Sequence, residues 1–306
     1  MIVNLEGLVA TGKSGWLYTA PKPLVCFNFD LGADRAIFGT KFNDAFSNLK
    51  VKIVKYKPQA IEPYRMVGQG KDQTMQANPD FTKGLEVFKQ DWQTNDIVVY
   101  ELPVPVQFDP VRLQGVMKLW NTYRVLSAFA VQDAKVRTIA VDTGSLLRRV
   151  ASDAYLEELQ AKGHQRKQLL QIEWGHANDE VRMMYDMAPS FGKNLIVVHH
   201  LIPERKDFPQ PDGTMKNMET GGLVIDGWRD SDRKWDIGIR FDKKAGKVVA
   251  KYTKCGYNLS FEGRDIPEGL LDWNGMVNEI DGAAGGRYTG NGMMERAPGN
   301  VSIYAG

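Results

Sequence analysis

Apolar residues along this chain fall into short unbroken runs, each followed by a polar turn and then by a stretch where they recur every three or four positions. The runs are Ile2–Leu5, Leu24–Phe29, Asp96–Tyr100, Thr138–Val141 and Asn194–His199, rich in Val, Ile, Leu and Phe. They lack strict polar alternation, as strands buried on both faces do. Between them, Leu113, Val116, Met117, Trp120, Tyr123 and Ser127 predict a helix over Pro110–Phe129, and Val181, Met184, Tyr185 and Ala188 predict one over Ala177–Ala188. This alternation predicts an α/β fold with a mostly parallel central sheet flanked by helices. Trp235–Phe241 and Lys247–Thr253, joined through Lys243-Lys244-Ala245-Gly246, predict a C-terminal β-hairpin that extends the sheet.

The pattern is interrupted twice. Thr40–Gly84 is longer than a minimal core needs. Leu201–Lys234 carries Pro203, Pro209, Pro211, Gly213, Gly221 and Gly222, which marks a working loop or a disordered one. The expected organisation is a core over 1–260 with insertions at 40–84 and 201–234, then an extension over 261–306 whose glycine-rich end starts at Gly282.

Composition narrows the class only a little. The 39 Lys and Arg nearly balance the 37 Asp and Glu, so any nucleic-acid contact must be local rather than a coat of positive charge. Two cysteines, Cys26 and Cys255, are too few for a disulfide framework. No apolar run approaches the roughly 20 residues of a membrane span, and Met1–Leu5 runs directly into a glycine loop. A soluble, cytoplasmic protein without a signal segment is therefore expected.

The chemistry is concentrated in Gly7-Leu8-Val9-Ala10-Thr11-Gly12-Lys13-Ser14, followed by Gly15 and preceded by a strand. Backbone amides of such a loop curl around phosphate oxygens, Lys13 reaches the β and γ phosphates of ATP, and Ser14 offers a hydroxyl to Mg2+. Thr138–Val141 ends in Asp142 and Thr143. A carboxylate there suits the magnesium shell, though it would also suit the N-cap of a following helix. Two further strand-ending carboxylates, Asp30 and Glu101, are candidates for the base that orients water, with Asp30 slightly preferred. His199 and His200 end a strand on opposite faces, so only one of them can meet the γ phosphate while the other packs.

In these places, and in the late hairpin ending Ala250-Lys251-Tyr252-Thr253-Lys254, the chain resembles the RecA-like ATPases. It most closely resembles the phage-encoded nucleotide-binding ATPases grouped with single-strand annealing and recombination proteins. The resemblance implies a RecA-like core with His200 at the polar sensor position. It also implies a homo-oligomeric ring or filament in which Lys251 or Lys254 reaches the neighbouring subunit's nucleotide. It further implies loops that hold single-stranded DNA, falling here on Arg148, Arg149, Arg166, Lys167, Arg205, Lys206 and Lys216, with Phe208 and Trp228 as stacking candidates. The same basic residues would equally suit a solvated surface. Two other functions use such a loop. One is a nucleoside or nucleotide kinase with Arg148, Arg149 and Arg205 as its lid, and the other is an assembly or packaging ATPase with the glycine-rich tail as a docking arm.

Overall fold

The structure is a computed structural model and describes residues 1–39, 46–55, 64–67, 74–109, 111–210, 214–227 and 231–283. Ile2–Gly7 (β1) leads through the glycine loop into a short helix, Lys13–Leu17 (α1). Leu24–Asn28 (β2) is followed by Ala33–Phe38 (α2) and Val51–Lys55 (β3). Tyr64–Val67 (β4) and Thr74–Ala77 (β5) pair with each other in a separate antiparallel sheet. Pro79–Thr94 (α3) then leads to Ile97–Glu101 (β6). Val116–Gln132 (α4), Thr138–Asp142 (β7), Gly144–Ala161 (α5) and Trp174–Ser190 (α6) continue the alternation. Asn194–Pro209 (β8) and Met215–Ile225 (β9) form a long ribbon. Ile237–Lys244 (β10), Lys247–Cys255 (β11), Asp265–Ile266 (β12) and Trp273–Ala283 (α7) complete the described chain.

The main sheet runs β12-β11-β10-β1-β8-β7-β2-β6-β3, with β9 paired to β8 alone. From β10 to β3 every neighbouring pair is parallel, and β11 and β12 are antiparallel additions. This is the α/β class predicted: a mostly parallel sheet with flanking helices and an antiparallel hairpin extension. All residues of β1, β2, β6 and β7 are buried because apolar layers cover both faces. Ile2, Val25, Phe27 and Val141 join α4, α5 and α6 on one face, while Val3, Leu5, Cys26 and Ala140 join α1, α2 and α7 on the other. Each large side chain buried this way contributes about 1.5–3 kcal/mol relative to exposure.

Three stretches differ from the sequence expectation. The interval 40–84 includes β3, an edge strand of the main sheet, which its polar alternation had concealed. The stretch after His200 is not simply a loop, because β8 runs nine residues further and pairs with β9 from Leu201↔Ile225 to Pro209↔Met215. Backbone pairing satisfies the peptide groups there despite the prolines and glycines. The helix predicted from Pro110, α4, starts at Val116 instead, after Gly115 in a left-handed conformation (φ 79°). Its free amides are capped from α5, where the Glu157 carboxylate accepts from Gly115 N (2.8 Å) and Met117 N (2.7 Å). Pro110, Trp228 and the tail beyond Ala283 lie outside the described residues.

Candidate functional site

The glycine loop sits where β1 leaves the sheet. Gly12 adopts φ 94° and ψ 4°, a left-handed conformation that favours glycine, and it turns the chain into α1. The loop is closed by its own lysine. Lys13 Nζ donates to Gly7 O (2.8 Å), Leu8 O (2.6 Å) and Thr11 Oγ1 (3.4 Å), which engages all three ammonium protons. These acceptors stand where phosphate oxygens would compete. Burial lowers the Lys13 pKa to about 8 against the opposing pull of Asp142 and Asp30.

Beside the loop lies a cavity of about 350 Å³ lined by Lys13, Ser14, Asp30, Asp142 and His200. Four parallel strands place these groups there together, since Gly7 pairs with His200, and Asp142 pairs with both Val198 and Asn28. The cavity is at the carboxyl ends of the strands, where open α/β sheets bind ligands. Asp142 is 4% exposed, and its pKa is raised to about 6, first by burial and further by Asp30, while the Ser14 hydroxyl it accepts and Lys13 pull the other way. Helix capping does not occupy it. Thr143 is the N-cap of α5, its Oγ1 accepting from Leu146 N at 3.2 Å, so the Asp142 carboxylate is left to face Ser14.

Of the two candidate bases, only one reaches the cavity. Asp30 lines it, held on a turn where Asn28 Oδ1 accepts from Asp30 N (2.8 Å) and Leu31 N (3.0 Å). Glu101 ends β6, on the far side of β2 from Asp142, and is buried outside the cavity lining.

The adjacent histidines separate as strand alternation requires. His199 is fully buried against Asn4 Oδ1 at 2.5 Å, and burial drops its pKa to about 3. His200 lines the cavity, its pKa lowered by burial and by Lys13. Its backbone is tied to two other elements. His200 N donates to Ser145 Oγ (3.2 Å), Ser145 Oγ donates to Asp226 O (2.6 Å), and Asp226 N donates to His200 O (2.9 Å). Helix α5 comes this near β8 because residue 144 is glycine: a Cβ there would lie 2.5 Å from Val197 Cγ1 and 2.6 Å from His199 Nε2.

The other predicted residues lie outside the cavity. Lys251 is exposed on β11, and Lys254 Nζ donates to Asp232 O at 2.7 Å. Arg148 stacks over Trp174 at 5.0 Å, Arg149 faces Asp153 at 3.6 Å, and Arg205 pairs with Glu219 at 2.7 Å on the ribbon. The three arginines suggested as a kinase lid therefore do not close over the loop. Arg166 pairs with Glu173 at 2.7 Å and Lys167 is exposed. These two follow the C-terminal end of α5, roughly 20 Å from Arg148 by helical rise. Lys206 faces Glu204 at 3.0 Å, and Lys216 stands opposite Phe208 on the ribbon. Sequence reasoning missed Arg35, which lines the cavity from α2 together with Gly32 and Gly39. The one signal for it was its position five residues after a strand-ending carboxylate.

Fold and cradle together define a P-loop nucleotide-binding domain. A sequence profile of the AAA domain family matches residues 3–230, and the chain belongs to that family; it carries a P-loop ATPase domain. Among solved structures, a KaiC-like protein from the hyperthermophilic archaeon Pyrococcus horikoshii OT3 aligns over 83% of this chain and 78% of its own, with 11% identity and a TM-score of 0.30. No curated protein matches the chain. Among the described residues no helix is long and apolar enough to cross a membrane.

Proposed function

We propose that this chain is a magnesium-dependent ATPase whose nucleotide state governs a single-stranded DNA contact on the β8–β9 ribbon, acting as a homo-oligomer in bacterial or phage recombination or replication. The observation that carries the reading is the convergence of Lys13 and Ser14 from α1, Asp30 from the turn after β2, Asp142 from β7 and His200 from β8 on one cavity.

Ser14 and Asp142 present oxygen donors to each other in a buried place where the carboxylate has no full countercharge, a donor set that fits magnesium. When bound, the ion neutralises charge on the phosphate oxygens. Lys13 exchanges its loop carbonyls for phosphate oxygens. Asp30 orients a water and takes its proton as the water oxygen bonds to the γ phosphorus. The bond from that phosphorus to the β–γ bridging oxygen breaks, leaving ADP and phosphate. His200, kept neutral, hydrogen-bonds the γ phosphate. Its ties to Ser145 and Asp226 carry the loss of that phosphate to the root of the ribbon. Further out along the ribbon Arg205, Lys206 and Lys216 meet the DNA backbone, and Arg148 and Arg149 lie on α5 beside the ribbon's root.

The test is magnesium-ATP hydrolysis with and without single-stranded DNA, with particle mass measured with and without nucleotide. Turnover stimulated by DNA, in a particle that grows with nucleotide, is the expected result. ATP turnover indifferent to DNA, by a protein that does not bind DNA at low salt, would remove the DNA role and leave the ATPase.

A further inference from the structure

We propose that Arg35 is a catalytic residue of this ATPase, gripping the terminal phosphate from the α2 part of the cavity wall; the inference rests on the nucleotide reading above. Lys13 approaches the phosphates from the loop side. Another part of the wall is formed by the β2–α2 turn and α2 with its C-cap, with Asp30, Gly32, Arg35 and Gly39 all on the cavity. The guanidinium lies against that turn. A Cβ built on Gly32 would stand 3.0 Å from Arg35 Nη2, 3.7 Å from Nε and 3.8 Å from Cζ. Residue 32 comes two after the proposed base, so the side chain reaches back toward the place where water attacks. Arg35 is exposed, and among the described residues it makes no ion pair. Toward the described residues its guanidinium fork is therefore left to a ligand.

Charge in the cavity requires such a group. Asp30 and Asp142 both face it, burial lowers the His200 pKa, and among the described lining residues Lys13 is the cation on the loop side. An incoming triphosphate adds several negative charges. Opposing them on the γ side takes a second cation, and a guanidinium donates to two phosphate oxygens at once. Those contacts tighten as the γ phosphoryl parts from the bridging oxygen and charge shifts to the leaving ADP. An arginine supplied from the same chain does this work in some P-loop enzymes.

The test compares the full-length parent with Arg35→Ala, Arg35→Lys and Gly32→Ala. In Arg35→Ala, kcat is expected to fall by about 100-fold or more, ATP affinity to fall toward that of ADP, and ADP affinity to stay within about twofold because ADP lacks the gripped phosphate. Lysine restores only part of the turnover, since it lacks the two-pronged fork. Gly32→Ala keeps an ordinary backbone conformation (φ −125°, ψ 17°) but pushes the guanidinium away, so it lowers kcat in the parent and adds nothing to Arg35→Ala. If Arg35→Ala keeps turnover within about threefold, or loses ATP and ADP affinity in step, the inference is overturned and the ATPase reading stands. If the parent neither binds nor hydrolyses ATP, both fall.

Discussion

One strand builds both the cavity and the ribbon, by opposite rules. From Asn194 to His199 every residue of β8 is buried, gripped by β1 on one side and β7 on the other. From Ile202 onward nearly all of β8 and β9 is exposed, and each strand has only the other as a partner. The first half is fixed by packing on both faces and keeps its geometry whether or not a ligand is present. The second half rests on backbone pairing and on exposed ion pairs such as Arg205–Glu219, which contribute little. A two-stranded ribbon is marginal in water by itself, so what the ribbon touches sets its state. In the proposed function, the rigid cradle joined to this arm at His200 is what transmits nucleotide state.

The comparison is broken most severely at the cradle. Lys13→Ala is expected to reduce ATP turnover to background and triphosphate affinity by about 100-fold or more, read by calorimetry. The fold should survive, because Lys13 holds only loop atoms. Next in size is the base. Asp30→Asn should lower kcat about 10²–10³-fold with nucleotide retained, while Glu101→Gln stays within about threefold. The reverse ranking would place the base on β6 and remove Asp30 from the mechanism.

Much of the rigid half was legible in the sequence for a physical reason. Doubly buried strands leave unbroken apolar runs, a phosphate loop needs glycine at fixed spacing, and strand alternation alone separated His199 from His200. The ribbon was hidden because both its faces meet water, so no apolar alternation marks it, and its prolines and glycines imitate a loop. Asp142 was ambiguous between cap and cavity until Thr143 was seen to cap α5. Glu101 and Asp30 end their strands alike in sequence, and only the strand order, with β2 between β7 and β6, tells them apart. Arg35 left almost no trace, since a single arginine on a six-residue helix has no periodic signature.

The cradle also carries a stability cost that can be measured. The Asp142 pKa rises from 3.8 to about 6 on folding, so the carboxyl favours the folded state below pH 4 and loses that contribution as pH climbs through 6. The displacement corresponds to about 3 kcal/mol of penalty on the ionised, ligand-free protein. Asp142→Asn should therefore raise the Tm of the ligand-free protein at pH 8 by roughly 5 °C, with the gain vanishing below pH 4. Turnover should be lost in the same variant. In the proposed mechanism magnesium-ATP binds with Asp142 ionised and Lys13 protonated, with pKa values of about 6 and about 8, so affinity should peak between those limits. A Tm unchanged by Asp142→Asn at pH 8 would mean that the carboxylate is not strained by burial.

The smallest expected effect lies on the ribbon and tests whether the two halves have separable roles. Arg205, Lys206 and Lys216 are replaced together by alanine, which leaves the cavity untouched because none of them lines it. Each phosphate contact removed should flatten the salt dependence of single-strand binding, by about 0.7 in the log–log slope and about 2 for all three. Affinity at low salt should fall roughly tenfold. ATP affinity should stay within about twofold of the parent, while stimulation of turnover by DNA disappears. A variant with the parent's salt slope would show that these side chains, two of which are already engaged by Glu219 and Glu204, face only solvent. The arm would then have to work through its exposed apolar side chains, such as Ile202, Met218 and Leu223, against something other than a phosphate backbone.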